Sequence, residues 1–157
     1  SVRLGGYDNA DDLAYQFVSM PQDIISATLV YWWRMDTREM THPHDYLRVE
    51  MRDTGGQLLR SLATHHDGDT PMAWSPVAVD LSDLAGQLVR LDFHGYTNAT
   101  NLSAFYVDDV SLYTCIRGPR PPTATATPTP TLTRTPSATS TPTSRHRLFL
   151  PLIMRDH

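Results

Sequence analysis

Two runs in this sequence combine histidine with aspartate at close spacing: His42-Pro43-His44-Asp45 and His65-His66-Asp67. A His-x-His pair beside a carboxylate offers donors that zinc accepts. Neither run has the helical spacing that turns two imidazoles onto one metal in a metalloprotease. Both fall in stretches read as loops, with no cysteine nearby, so solvated loop histidines are expected. Nucleophilic chemistry has no better footing. There is no Gly-x-Ser-x-Gly turn and no phosphate loop, and the only cysteine, Cys115, has no histidine companion. Glu39 and Glu50 are the only glutamates, and the scattered aspartates form no acid/base pair. The residues predict a protein that is not an enzyme and has no catalytic residues.

Aromatic rings offer a different chemistry, stacking on sugars. The candidates are Trp32, Trp33 and Trp74, with Tyr31 and Tyr96. Alternation puts Trp33 on a core face and Trp32 on the opposite one, so Trp32 is the candidate sugar-stacking residue. At least two of the three indoles are expected in the core.

These residues must be held by short strands. Val2–Leu4, Leu13–Met20, Ile25–Met35, Tyr46–Arg52, Gln57–Ala63, Val77–Val79, Leu88–Phe93 and Phe105–Tyr113 alternate or are continuously apolar, and turn residues separate them. His65–Thr70 reads as a polar loop, and the stretch from Asp80 to Gly86 as one helical turn. About eight strands at roughly 10-residue spacing predict an all-β fold, an antiparallel β-sandwich of jelly-roll type. It fills residues 1–116.

From residue 117 the composition changes. Thr123, Thr125, Thr127, Thr129, Thr131, Thr133 and Thr135 occupy alternate positions among prolines. Such a segment buries no core. It reads as an extended spacer over 117–146, of a kind O-glycosylated outside the cell, with these threonines as candidate sites. Beyond it, Leu148, Phe149, Leu150, Leu152, Ile153 and Met154 form an apolar run within residues 147–157. The run is too short to span a bilayer, and its length and pattern predict a strand buried on both faces. Pro151 lacks an N–H, so that strand is expected at an edge or bonded from one side only at that point.

Charge follows the same division. Residues 1–116 carry 7 Arg against 14 Asp and 2 Glu, net −9, and residues 117–157 carry net +5 with 6 Arg against one Asp. An acidic body argues against nucleic acid as a partner, and a basic tail suits docking on an acidic body, its own or a neighbour's. One cysteine excludes an intrachain disulfide framework. The chain starts at Ser1 with no apolar leader, which reads as a processed product or a fragment.

Three segments carry a family resemblance: Gly5-Gly6-Tyr7-Asp8-Asn9-Ala10-Asp11-Asp12, the stretch from Val79 to Phe93, and Phe105-Tyr106-Val107-Asp108-Asp109-Val110-Ser111-Leu112. Over residues 1–114 the chain resembles bacterial extracellular jelly-roll modules related to MAM and carbohydrate-binding-like domains, including those that trail immune-inhibitor-A-type metalloproteases. The Leu-Phe-Leu-Pro-Leu-Ile-Met-Arg ending is similar to the C-terminal tails of secreted bacterial surface proteins. It lacks the Leu-Pro-x-Thr-Gly sortase signal.

The resemblance implies a location outside a bacterial cell. It also implies a structural calcium near Asp108, which shares parity with Tyr106, Val110 and Leu112 and so is expected to point inward. Asp8 and Asp11 would supply further oxygens. The alternative is that Asp108 or Asp109 accepts backbone or arginine hydrogen bonds. Such modules also begin with a strand upstream of the equivalent of Ser1–Gly6, which this chain lacks. A body short of one strand, a long spacer and a spare apolar strand predict donor-strand insertion into a neighbouring copy, giving a head-to-tail homopolymer with no membrane span. The competing expectation is a glycan-binding or adhesion module of a larger secreted protein.

Overall fold

The computed structural model describes residues 1–69, 73–118 and 143–155. These residues form ten strands: β1 (Val2–Gly5), β2 (Asp11–Ser19), β3 (Ile24–Thr37), β4 (Tyr46–Arg52), β5 (Leu58–His66), β6 (Ser75–Asp80), β7 (Leu88–Tyr96), β8 (Ser103–Arg117), β9 (Thr143–Phe149) and β10 (Ile153–Arg155). The expected helical turn is a single 3-10 turn at Ser82–Leu84. One sheet runs β1-β8-β3-β6, with β9 also on β8, and the other runs β10-β2-β7-β4-β5. All pairings are antiparallel. The chain is an all-β sandwich of two packed antiparallel sheets.

Parity decides the core. On β3, Ala27, Leu29, Tyr31, Trp33 and Met35 are buried, and they meet Leu47, Val49, Met51, Val89, Leu91 and Phe93 of the opposite sheet. Tyr31 packs edge-on against Phe93, with ring centroids 5.3 Å apart. Gly95 lets the sheets close over β1: a Cβ there would lie 2.7 Å from Leu4 Cβ. On the outer face of β7, Asp92 is buried beneath arginines. Arg90 donates to both of its oxygens at 2.7 Å, and Arg52 Nε lies 3.4 Å away.

Two departures from the simple strand pattern have local causes. β5 continues through His65 and His66, where a loop was expected, because the His65 ring stacks on Trp33 at 3.8 Å and bonds the Tyr31 hydroxyl at 2.9 Å. In β8 the register against β3 slips between Val30 and Trp32. Asp109 there has φ 48°, a left-handed conformation that aspartate tolerates better than most residues, and the extra residue is a β-bulge. The bulge reverses parity. Phe105 and Val107 point inward before it, Val110 and Leu112 after it.

Candidate functional site

Two features of the sandwich bear on function: the edge of β8 and the outer face of β3. Along β8, β1 pairs with Ala104–Val107 and β9 with Ser111–Arg117. Both run antiparallel to β8, so β9 and β1 lie end to end, and the tail strand occupies the place a segment leading into Val2 would take. The Leu150 N–H then donates to Val110 O at 2.9 Å, and the Leu150 side chain enters the core. Past Pro151 the chain crosses to the other sheet, where Ile153–Arg155 pairs with Leu13–Tyr15.

The tail differs from the single doubly buried strand expected of it. It forms two short strands broken around Pro151, whose missing N–H and fixed φ suit the crossing. Among the described tail residues only Leu150 is buried, and Leu152 is half-buried. Leu148, Phe149, Ile153 and Met154 stay 41–58% exposed. The tail lies on its own body. β9 also begins at Thr143, so residues 143–146 belong to a strand rather than to the spacer, and Arg117 closes β8. The candidate glycosylation threonines, Thr123 to Thr135, lie outside the described residues.

On the outer face of the first sheet, Trp32 and Trp74 are 37% and 38% exposed. With Asp108 and Asp109 they line an open cleft of about 300 Å³. Arg34 sits beside it, its guanidinium 5.6 Å from the Trp74 ring and 3.9 Å from Tyr106. Only Trp33 of the three indoles is in the core, because strand parity carries Trp32 outward and Trp74 precedes β6. Tyr31 is fully buried and Tyr96 stacks on Tyr46 in the other sheet, so neither joins the cleft.

The expected calcium ligands do not converge. Asp108 is displaced outward by the bulge; its Oδ1 accepts the Asp109 N–H at 2.9 Å and lies 3.4 Å from the Ser1 amino group. Asp11 contacts His94 in the second sheet, and Asp8 is exposed in the β1–β2 loop. Among the described residues, acidic oxygens gather elsewhere, from Glu39, Asp45 and Asp67. In the sequence the last two stand out only as neighbours of histidines.

Tyr31 and His65 form a buried polar contact inside the sandwich. Burial pushes the His65 imidazole down to about 4 and the Tyr31 hydroxyl upward. No helix among the described residues is long and apolar enough to cross a membrane. No family model and no curated protein matches the chain.

Proposed function

We propose that this is a non-catalytic structural protein of a bacterial cell surface, whose copies join by exchanging C-terminal strands. The observation that carries this reading is the place of β9. It extends β1 along the open side of β8, yet it connects to the body only through residues 119–142. A segment of that length can reach up to roughly 80 Å when extended, more than twice the roughly 35 Å breadth of a body of this size. The same ladder is therefore within reach of a neighbour's β8. Contacts made within one chain and contacts made by exchange are chemically identical, which is the condition for strand swapping. A head-to-tail exchange that does not close propagates as a filament. The half-exposed Leu148, Phe149, Ile153 and Met154 give the tail apolar surface still to cover. The spacer threonines carry glycans in this reading.

Deleting residues 145–157 tests the proposal. The truncated protein is expected to stay monomeric by light scattering and to form no filaments by electron microscopy. Filaments that persist without the tail would overturn it.

A second reading has its own observation, the pair of exposed indoles beside two aspartates. Trp32 and Trp74 supply stacking faces, and Asp108 and Asp109 supply hydrogen-bond acceptors for sugar hydroxyls. It describes a glycan-binding module. Specific binding on a glycan array that is lost in Trp32→Ala would favour it.

A further inference from the structure

Three connections that cross from one sheet to the other meet at one end of the sandwich. The β3–β4 link carries Glu39, His42 and Asp45, the β5–β6 link begins with Asp67, and the β7–β8 link carries Asn98 and Asn101. One oxygen each from Glu39, Asp45 and Asp67 lies within 4.8 Å of the other two. The three residues are 8%, 0% and 1% exposed. Neighbouring donors hold them in place. The Asn98 N–H donates to Asp45 Oδ1 at 2.8 Å, the His44 N–H is shared by both Asp67 oxygens at 3.2 and 3.1 Å, and Asn101 Nδ2 donates to Glu39 Oε2 at 3.2 Å.

One oxygen of each of two carboxylates is left over. Glu39 Oε1 and Asp45 Oδ2 are buried and have no hydrogen-bond partner among the described residues. Among the described residues the one ion-pair candidate for any of the three is His42, whose Nδ1 is 3.4 Å from Asp67 Oδ2. Among the described residues no arginine pairs with them. Buried carboxylates need a charge partner, and three of them this close repel one another. The other orphaned atom, His66 Nδ1, falls outside the group, so the converging donors are all oxygens.

We infer that Glu39, Asp45 and Asp67 form a calcium site that ties the connections of the two sheets together. Three hard oxygen donors, with the His42 imidazole beside Asp67 but outside the converging group, suit calcium or magnesium. Donors from three irregular connections suit the larger ion, which accepts six to eight oxygens in loose geometry, whereas magnesium demands a near-ideal octahedron. The amide donors that orient each carboxylate are the outer support such sites have. This site is separate from Asp8, Asp11 and Asp108, and it does not depend on how the tail docks.

The test uses the full chain stripped with EDTA. Titration with calcium chloride alone is expected to give one site per chain by calorimetry. About 2 mM calcium should raise the melting temperature by about 5 °C or more. Asp45→Asn removes one charge at constant size. It should weaken calcium at least about tenfold and lose the calcium-dependent rise, while melting in EDTA no lower than the unmodified protein. Glu39→Gln makes the same test if Asp45→Asn does not fold. Asp108→Asn should keep the full response. The inference fails if calcium gives neither binding heat nor a shift, or if the response survives Asp45→Asn or Glu39→Gln. It also fails if the response vanishes in Asp108→Asn. An equal shift with magnesium would overturn the assignment to calcium.

Discussion

Replacing Leu150 by alanine separates the grip of the tail from the stability of the body. Leu150 is 6% exposed and, among the described tail residues, is the one side chain inside the core. Leucine-to-alanine changes in cores cost about 2–5 kcal/mol. This site lies at a seam between strands and can partly collapse, which argues for the lower part of that range, about 2–3 kcal/mol. The body keeps its own core of Leu29, Tyr31, Phe93, Phe105 and their neighbours, so the loss should fall on tail docking rather than on global folding. That corresponds to roughly a 30- to 150-fold weaker docking equilibrium. Hydrogen exchange measures it. Amides of Thr143–Phe149 and the alternate amides of Ser111–Arg117 that point to β9 should exchange faster by about that factor, while those of β3 and β7 stay protected. Unchanged protection in β9 would refute the reasoning. So would an equal loss throughout the sandwich, which would make the tail an inseparable part of one cooperative core.

Two further outcomes follow from the body. His65 is held neutral by burial, its pKa lowered from 6.5 to about 4, so the unfolded chain binds the proton more readily than the native one. Stability should therefore fall as pH drops from about 6.5 towards 4 and gain nothing above that window, by about 1–2 kcal/mol after allowing for partial solvent access. In urea melts at pH 7 and pH 4.5, His65→Gln should lose less than the unmodified protein, and equal losses would sink the assignment. Gly95→Ala would set a Cβ 2.7 Å from that of Leu4 and should cost about 1–3 kcal/mol. Because the contact is with the Cβ of Leu4 itself, the double variant with Leu4→Gly should cost less than the two single changes added together. Strict additivity would mean that the contact is not the cause.

The body was legible wherever alternation persists. Ala27 to Met35 and Val89 to Phe93 face the way their parity predicts, because a strand with one buried face tolerates no slip of register. Asp108 was misplaced because a one-residue bulge inverts parity, and its only local sign is a second aspartate able to take a left-handed conformation at Asp109. His65 looked like loop material because its reason to be in a strand, the face of Trp33, lies 32 positions earlier in the chain. The carboxylate group was hidden for the same reason. Glu39, Asp45 and Asp67 follow from which connections share one end of the sandwich, and no periodicity encodes that. In the tail, the apolar run announced a strand and Pro151 announced an edge. The break into two strands, one on each sheet, depends on the shape of the body it meets.

The register of the tail supplies the most direct test of strand exchange. Arg145 of β9 is the cross-strand partner of Cys115, the only cysteine in the chain, and opposed residues in an antiparallel pair lie at a spacing a disulfide can bridge. Arg145→Cys, assembled at high concentration, oxidised and run on a non-reducing gel, reports whose tail lies on which body. Strand exchange between copies predicts a ladder of covalent multimers that collapses to monomer on reduction and grows with protein concentration before oxidation. A single monomer band with its thiols consumed, at every concentration, would show that each tail serves only its own chain and would contradict the account.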